Sequence, residues 1–388
     1  MDGSYKVNKR NIKNKNLRFT QMEFLQVVLM NSTNLDLEKI TIKEFLPKGI
    51  SRKLWNKFHQ LEEELILEIQ PKDSLLARET VEKDLMFEHS DYLIIRWLIF
   101  KDASENELIG WYFTKTPKEQ VVFTSDLKVG YFEIFVKKNY RRRGLGTLIL
   151  RKLAHEFDSL GFDKIETRTS YKSGFSFCEK LNGKLINLES ENRLYFKDVD
   201  WDKINSWIQE GRERNPDVKI ESFYGASEEK IEEYCDLLSE LEQEKPTLET
   251  EDEKTPTEIY TPNGYREFVQ YMKEKSYTVY TIRPINVDGK IMGLTEIFFS
   301  KEKNPKRIEQ GFTGIKSIYR GRGIGKWLKS IMLIYIKDNF PEADYFVTGN
   351  ANHNVPMLAI NTQLGFKSYF EKKSYIFSIE KLLTILKK

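Results

Sequence analysis

One short turn occurs twice in this chain, and it limits the possible folds more than any other feature. The first copy reads Tyr140-Arg141-Arg142-Arg143-Gly144-Leu145-Gly146, the second Tyr319-Arg320-Gly321-Arg322-Gly323-Ile324-Gly325. Gly144 and Gly323 stand at equivalent points, a period of 179 residues. A period that long belongs to a duplicated domain and not to a solenoid unit. The length of 388 residues agrees, because single cores rarely grow that large.

The pattern around each turn repeats as well. Residues 40–45 alternate like a short strand, and Trp55, Phe58, Leu61, Leu65 and Ile69 recur at helical spacing. A second helix is expected over 74–87. Strands are expected over 92–100, 108–114, 120–124 and 130–136. After the turn come a helix with Ile149, Leu153, Phe157 and Leu160 on one face, a strand at 165–169, a short helix at 173–181 and a strand region at 184–196. Residues 201–214 read as a polar helical linker. The order then restarts: strand 218–223, helices 228–241 and 265–272, strands 277–285, 291–299 and 312–318, the second turn with its helix, strand 345–348, helix 355–364 and strand 366–377. The expected organisation is an N-terminal extension (1–35), a first domain (36–200), a helical linker (201–216) and a second domain (217–388). Each domain is expected to be an α/β unit with a mixed central sheet flanked by helices.

Composition excludes several classes. Hydrophobic residues at 40% and charged residues at 31% suit a globular chain and argue against disorder. The formal net charge of +3 and the lack of an extended basic face disfavour a nucleic-acid binder. Cys178 and Cys235, with four scattered histidines, give no metal-ligand spacing, so no metal is expected. The cysteine usage fits a reducing cytoplasm, and no apolar run approaches a membrane span. The basic start, with an apolar stretch at 24–30, is expected to be an extension packed on the first domain and not a cleaved signal peptide.

Each turn follows a strand and opens a helix. Glycines there let backbone N–H groups converge on an anion at the positive helix end, and arginines add charge. Two linked phosphates suit such a cradle. Neither turn ends in the Gly-Lys-Ser/Thr of a P-loop, and the glycine spacing differs from a dinucleotide fingerprint.

The pattern Arg-x-x-Gly-x-Gly after the fourth strand resembles motif A of the GNAT acetyltransferases, whose main-chain amides hold the coenzyme A pyrophosphate. The string Thr348-Gly-Asn350-Ala-Asn352-His-Asn354-Val-Pro356-Met357-Leu-Ala-Ile-Asn361-Thr-Gln-Leu364-Gly365-Phe366 resembles the C-terminal halves of tandem GNAT proteins. That group includes mycothiol synthase and the self-resistance acetyltransferases of producers of zwittermicin-, edeine- and paenilamicin-like amines. The resemblance implies a fold of two tandem GNAT domains and an acetyl-CoA-dependent N-acetyltransferase. In the second copy it implies a pyrophosphate site at Arg320, Gly321, Arg322, Gly323, Ile324, Gly325 and Lys326. The coenzyme arm would then run along Ile315, Ser317, Asn350, Asn354 and Asn361, although asparagines also cap loops. In the first copy it implies a cradle at Arg141, Arg142, Arg143, Gly144 and Gly146.

Acetyl transfer to an amine calls for a base and for polarisation of the thioester carbonyl. In many GNAT enzymes a glutamate stands six positions before the residue that opens the pyrophosphate approach. Counting back from Ile315 gives Glu309, whereas the first copy has Gly130 there. Glu296, on the preceding strand, is the second candidate base, and either could instead be a surface residue. Where relatives carry a tyrosine acid, the copies have Cys178 and Asn361. The second copy is therefore the expected catalyst.

Between Ser227 and Glu258 stand thirteen acidic residues against Lys230, Lys245 and Lys254. This is either a solvated face or a negative groove that gathers a cationic amine. On the second reading Glu249, Glu251, Asp252 and Glu253 would bind the acceptor, an amine-bearing small molecule or peptide-like antibiotic inactivated by acetylation. A biosynthetic acetyltransferase of the mycothiol synthase type and an acetyl-CoA-binding module without turnover stay open as alternatives.

Overall fold

A computed structural model of the chain describes residues 35–387, apart from 90, 226, 227, 246, 247 and 249–253. The N-terminal extension expected at 1–35 lies outside these residues except for its last position, as do the four carboxylates at 249 and 251–253.

The first half runs β1 (Thr41–Glu44), α1 (Arg52–Ile69), α2 (Arg78–Met86), β2 (Tyr92–Phe100), β3 (Leu108–Pro117), β4 (Val129–Val136), α3 (Leu145–Ser159), β5 (Lys164–Thr169), α4 (Lys172–Lys180) and β6 (Lys184–Tyr195). Helix α5 (Trp201–Arg214) follows. The second half repeats the order: β7 (Lys219–Tyr224), α6 (Ile231–Gln243), α7 (Pro262–Glu274), β8 (Thr278–Ile285), β9 (Gly293–Phe299), β10 (Arg307–Ile315), α8 (Ile324–Asn339), β11 (Tyr345–Ala351), α9 (Val355–Leu364) and β12 (Lys367–Ser378), before a closing α10 (Ile379–Leu386).

Local chemistry sets the element ends. Ser51, Asp200 and Thr261 accept hydrogen bonds from the first turns of α1, α5 and α7, as N-caps do, and Pro262 sits in the first turn of α7. Strand β2 reads Tyr-Leu-Ile-Ile-Arg-Trp-Leu-Ile-Phe, a run suited to a sheet covered on both faces. Several expected boundaries move by a few residues, two of them most. Residues 74–77 stay outside α2, and the strand expected at 312–318 runs from Arg307 to Ile315. The strand expected at 120–124 does not form. Those residues instead make one bridge, Phe123 to Glu258, flanked by Thr124 N–H to Thr257 O at 3.1 Å and Ile259 N–H to Val122 O at 2.9 Å. Their backbone groups are satisfied by the second half and not by the adjacent strand.

Among the described residues, twelve strands form one sheet in the order β1-β2-β3-β4-β5-β12-β6-β11-β10-β9-β8-β7. Each half sends its last strand into the other. β12 lies between β5 and β6, and β6 pairs with β11 from Tyr195↔Tyr345 to Glu189↔Ala351. The cores follow this exchange. Tyr375, Phe377, Ile379, Leu382 and Leu386 pack with Leu150, Leu153 and Phe157 of the first half, while Leu194 and Val199 pack with Leu328 and Met332 of the second. The presumed linker also joins a core: Ile204, Trp207 and Gly211 of α5 are buried against α8, and Gly211 lies flush on the Trp327 ring.

Candidate active site

Strands β4 and β10 leave their parallel neighbours after a few residues. β10 pairs with β11 only over Arg307–Glu309, and β4 with β5 only over Val129–Phe132. Beyond Glu309 the two strands of the second half diverge, leaving β10 backbone groups free on that side for a ligand. A β-bulge stands at this point: between Gln310 and Thr313 the register with β9 shifts by one, so Gly311 and Phe312 face Glu296 together.

A single cavity of about 1410 Å³ runs through the opening. Its floor is Gln310 to Ile315, and one end is the glycine turn with Arg320, Gly321, Gly323, Ile324, Gly325 and Lys326. Gly321 and Gly323 have φ of +81° and +78°, a region that side chains rarely adopt. Helix α8 starts at Gly323 without a side-chain cap, so the first-turn amides of Ile324, Gly325 and Lys326 point at the cavity end with the positive pole of the helix behind them. Gln310 adds a second unmet need. Its amide donates to Thr295 Oγ1 at 3.1 Å and to Glu296 O, while its Oε1 is buried with no partner. An N–H donor from a bound molecule would complete it. An anion-ended chain carrying amide groups, as in a coenzyme A thioester, fits this wall.

Glu296 is buried on β9 and lines the same cavity. It accepts hydrogen bonds from Tyr234 of α6, from Tyr265 of α7 at 2.9 Å and from Thr281 at 3.3 Å. Burial pushes its carboxyl above the ordinary glutamate value of 4.5, and these donors, with the Phe312 amide, only partly offset that. The result is a carboxylate in the cavity wall that favours taking a proton.

Glu309 is not in the wall. It holds Arg307 Nε at 3.0 Å and lies at the last paired position, before the strands separate. Counting six back from Ile315 misses the opening because the bulge adds a residue between them. Arg322 also turns away, bonding Asn215 Oδ1 at 2.9 Å and Asp217 at 2.6 Å, and Ser317 is exposed outside the cavity. Ile315, Asn350 and Asn354 line it, and Asn354 also caps α9. Asn361 is buried one layer back, donating to Asn350 Oδ1.

The cavity does not reach the first turn. There Arg141 is clamped by Glu68 at 2.6 and 2.8 Å and stacks on Tyr171, while Arg142 adopts a positive φ of 63° and Arg143 lies over Tyr140. Leu37 sits 3.0 Å from a Cβ placed on Gly144, and the Phe177 ring 3.3 Å from one on Gly146. Gly144 itself is exposed, and the turn lies outside the cavity with two of its arginines held by neighbouring side chains. Below the turn, Glu62 accepts from Trp111 Nε1 at 2.9 Å, and burial raises its carboxyl to about 7.

The first half instead supplies the far wall of the cavity. Its charged lining groups, His89 aside, are Asp91, Glu166 and Glu189, all acids, whereas Arg214, Lys245, Lys254, Arg320, Lys326 and Lys329 come from the rest of the chain. Tyr92 donates to Glu258 at 2.6 Å, joining the halves at the rim. Of the acidic stretch, Glu242, Glu244 and Glu258 line the cavity. Sequence reasoning missed Tyr234, Tyr265, Gln310, Tyr92 and Lys329. Lys329 alone carried a sequence signal, as the one charge between Trp327-Leu328 and Ile331-Met332-Leu333. Among the described residues there is no group of three His, Cys, Asp or Glu able to hold a metal, and no helix long and apolar enough to cross a membrane.

Residues 50–182 match the Acetyltransferase (GNAT) family. The fold is similar to that of a tandem GNAT protein from the clavulanic acid biosynthesis pathway, at a TM-score of 0.66 and 16% identity, over 88% of this chain and 99% of that one. It is also similar to a GCN5-related N-acetyltransferase from Sphaerobacter thermophilus, at 0.58 and 12%, over 88% and 96%. No curated protein sequence matches the chain. The fold is that of two tandem GNAT domains, here joined through exchanged strands into one sheet.

Proposed function

We propose that the chain transfers the acetyl group of acetyl-CoA to a primary amine of a cationic small molecule or peptide-like compound, in the cleft of its second repeat. One observation carries this reading: a single cavity joins an uncapped helix N-terminus between positive-φ glycines to a buried carboxylate, through a gap between strands. The amides of Ile324, Gly325 and Lys326, with Arg320, hold the pyrophosphate. The pantetheine arm lies along Gln310 to Ile315 and past Asn350. Glu296 takes the proton from the attacking amine, directly or through Tyr265. A positioned amide of the bulged segment polarises the thioester carbonyl.

On this reading the first repeat (36–200) is a wall and not a second catalyst, residues 201–216 connect the repeats, and residues 217–388 carry the reaction. Asp91, Glu166, Glu189 and Glu258 favour an acceptor with more than one positive charge, because low-dielectric walls of one sign concentrate the opposite ion. Such an acceptor suits a role in resistance or self-protection against a cationic antibiotic. The test is a panel of polyamines, aminosugars and lysine-containing peptides, incubated with acetyl-CoA and the full chain. Free thiol release and a mass gain of one acetyl group are the readouts. Hydrolysis alone, or binding of acetyl-CoA without product from any amine, contradicts the proposal.

A further inference from the structure

Lys329 lies in the middle of α8 and is 1% exposed, yet it lines the cavity. A buried ammonium usually has a carboxylate partner, since its desolvation is costly. Here Nζ donates to Asn361 Oδ1 at 2.9 Å, and Asn361 passes a hydrogen bond on to Asn350 in the cavity wall. The surroundings are otherwise neutral. Phe366 lies 5.5 Å away, and β11 presents Thr348 and Asn350. Lys326 on the same helix is paired with Glu210 of α5, whose Arg214 lines the cavity nearer the turn. Tyr280 of β8 is stacked on Tyr335, further along α8. The charged residues of the neighbouring strands are engaged elsewhere: Arg307 with Glu309 and Glu191, Arg193 with Asp73 and Glu191, and Glu296 with the tyrosines of α6 and α7. Burial without a counter-charge pushes Lys329 down to about 7, so it holds a proton near neutrality and can release it.

The position adds a direction. Glu296 and Leu294 point from β9 to the α6/α7 face, while Ile297 and Phe299 point to the α8 face where Lys329 sits. The separation of β10 from β11 opens the sheet between these two faces, and both groups line the one cavity. A thioester held in that gap has a base on one side and a proton donor on the other. We propose that Lys329, positioned by Asn361, is the general acid that protonates the departing coenzyme A sulfur. This rests on the acetyl-transfer reading. The amine nitrogen bonds to the acetyl carbonyl carbon and gives its proton to Glu296. The C–S bond breaks with its electron pair on sulfur, and the Lys329 ammonium proton completes the thiol. Solvent then reprotonates Lys329 and removes the proton from Glu296.

The test uses the full chain and an amine that the wild type acetylates, with kcat followed from pH 5.5 to 9.5. Lys329→Met keeps the side-chain length and removes the proton. It should lower kcat roughly a hundredfold, the usual scale of general-acid loss, and erase the alkaline fall of kcat, while the Kd for acetyl-CoA stays within about threefold. Asn361→Asp places a carboxylate on Lys329 and should move the alkaline limb to higher pH, which a purely structural role would not do. It decides the matter if Lys329→Met does not fold. A kcat within threefold in Lys329→Met, or an alkaline limb unmoved in Asn361→Asp, overturns the inference and leaves acetyl transfer standing. A wild type that acetylates no amine overturns both.

Discussion

Replacing Glu296 by glutamine separates catalysis from packing better than any other single change. The side chain keeps its shape, and the retained oxygen can still accept from Tyr234, Tyr265 and Thr281. The lost element is a proton acceptor in the cavity. General-base contributions are about 10² to 10⁴ in rate. At about 1.4 kcal/mol per decade, that is a barrier increase of roughly 3–5 kcal/mol. The expected pH profile of kcat/KM for the wild type has an acid limb above the ordinary carboxylate range, because burial raises Glu296, and the limb is absent in Glu296→Gln. Stability has an opposite, independent sign. A carboxyl raised in the folded state binds its proton more tightly there than in the unfolded chain. Its stabilising contribution is therefore full below the unfolded value near 4.5 and is lost as pH rises through the folded value. The melting temperature of Glu296→Gln, relative to wild type, should rise with pH across that window. Steady-state rates with saturating acetyl-CoA and parallel melts from pH 4 to 9 measure both effects. A kcat/KM within threefold of wild type at pH 7, with a retained acid limb, refutes the assignment of Glu296 as base.

Further outcomes follow from the cavity and the core. Gly323→Glu should abolish acetyl-CoA binding in calorimetry, while the matching Gly144→Glu leaves its Kd within about threefold, because the second turn lines the cavity and the first does not. For a multiply charged amine, KM should rise steeply between 20 and 300 mM salt as screening weakens the acidic wall, and Glu258→Gln should raise KM without changing acetyl-CoA affinity. Gly130→Ala brings a methyl to 2.2 Å from the Phe157 ring, so thermal melts should report a loss of about 1–3 kcal/mol from overpacking.

The duplicated turn, the helix and strand periods and the long asparagine string were enough to anticipate two similar α/β units, each with a glycine turn that opens a helix. These are local signals. A turn states its φ requirement through glycine, and a helix states its buried face through spacing. Glu296 was also visible, as a carboxylate in an otherwise apolar strand. Its rank beside Glu309 was not, because one residue of β-bulge changes which side chains face the opening, and nothing in the spacing of Gln310-Gly311-Phe312-Thr313 declares a bulge.

Sequence alone determined the repeat, the alternation of strands and helices and the chemistry of the two turns, since each depends on residues close together along the chain. Tertiary structure decided which turn is open. Arg141 and Arg320 occupy equivalent places, yet the second turn lines the cavity and the first lies outside it. It also decided that β6 and β12 change places, since either last strand carries the same pattern and only the joint sheet selects its neighbour. The two buried charged groups follow the same rule. A charge within an apolar run marks both Lys329 and Glu296 in the sequence, but their shifted proton affinities come from burial and from partners contributed by α9, α6 and α7, which lie far away along the chain.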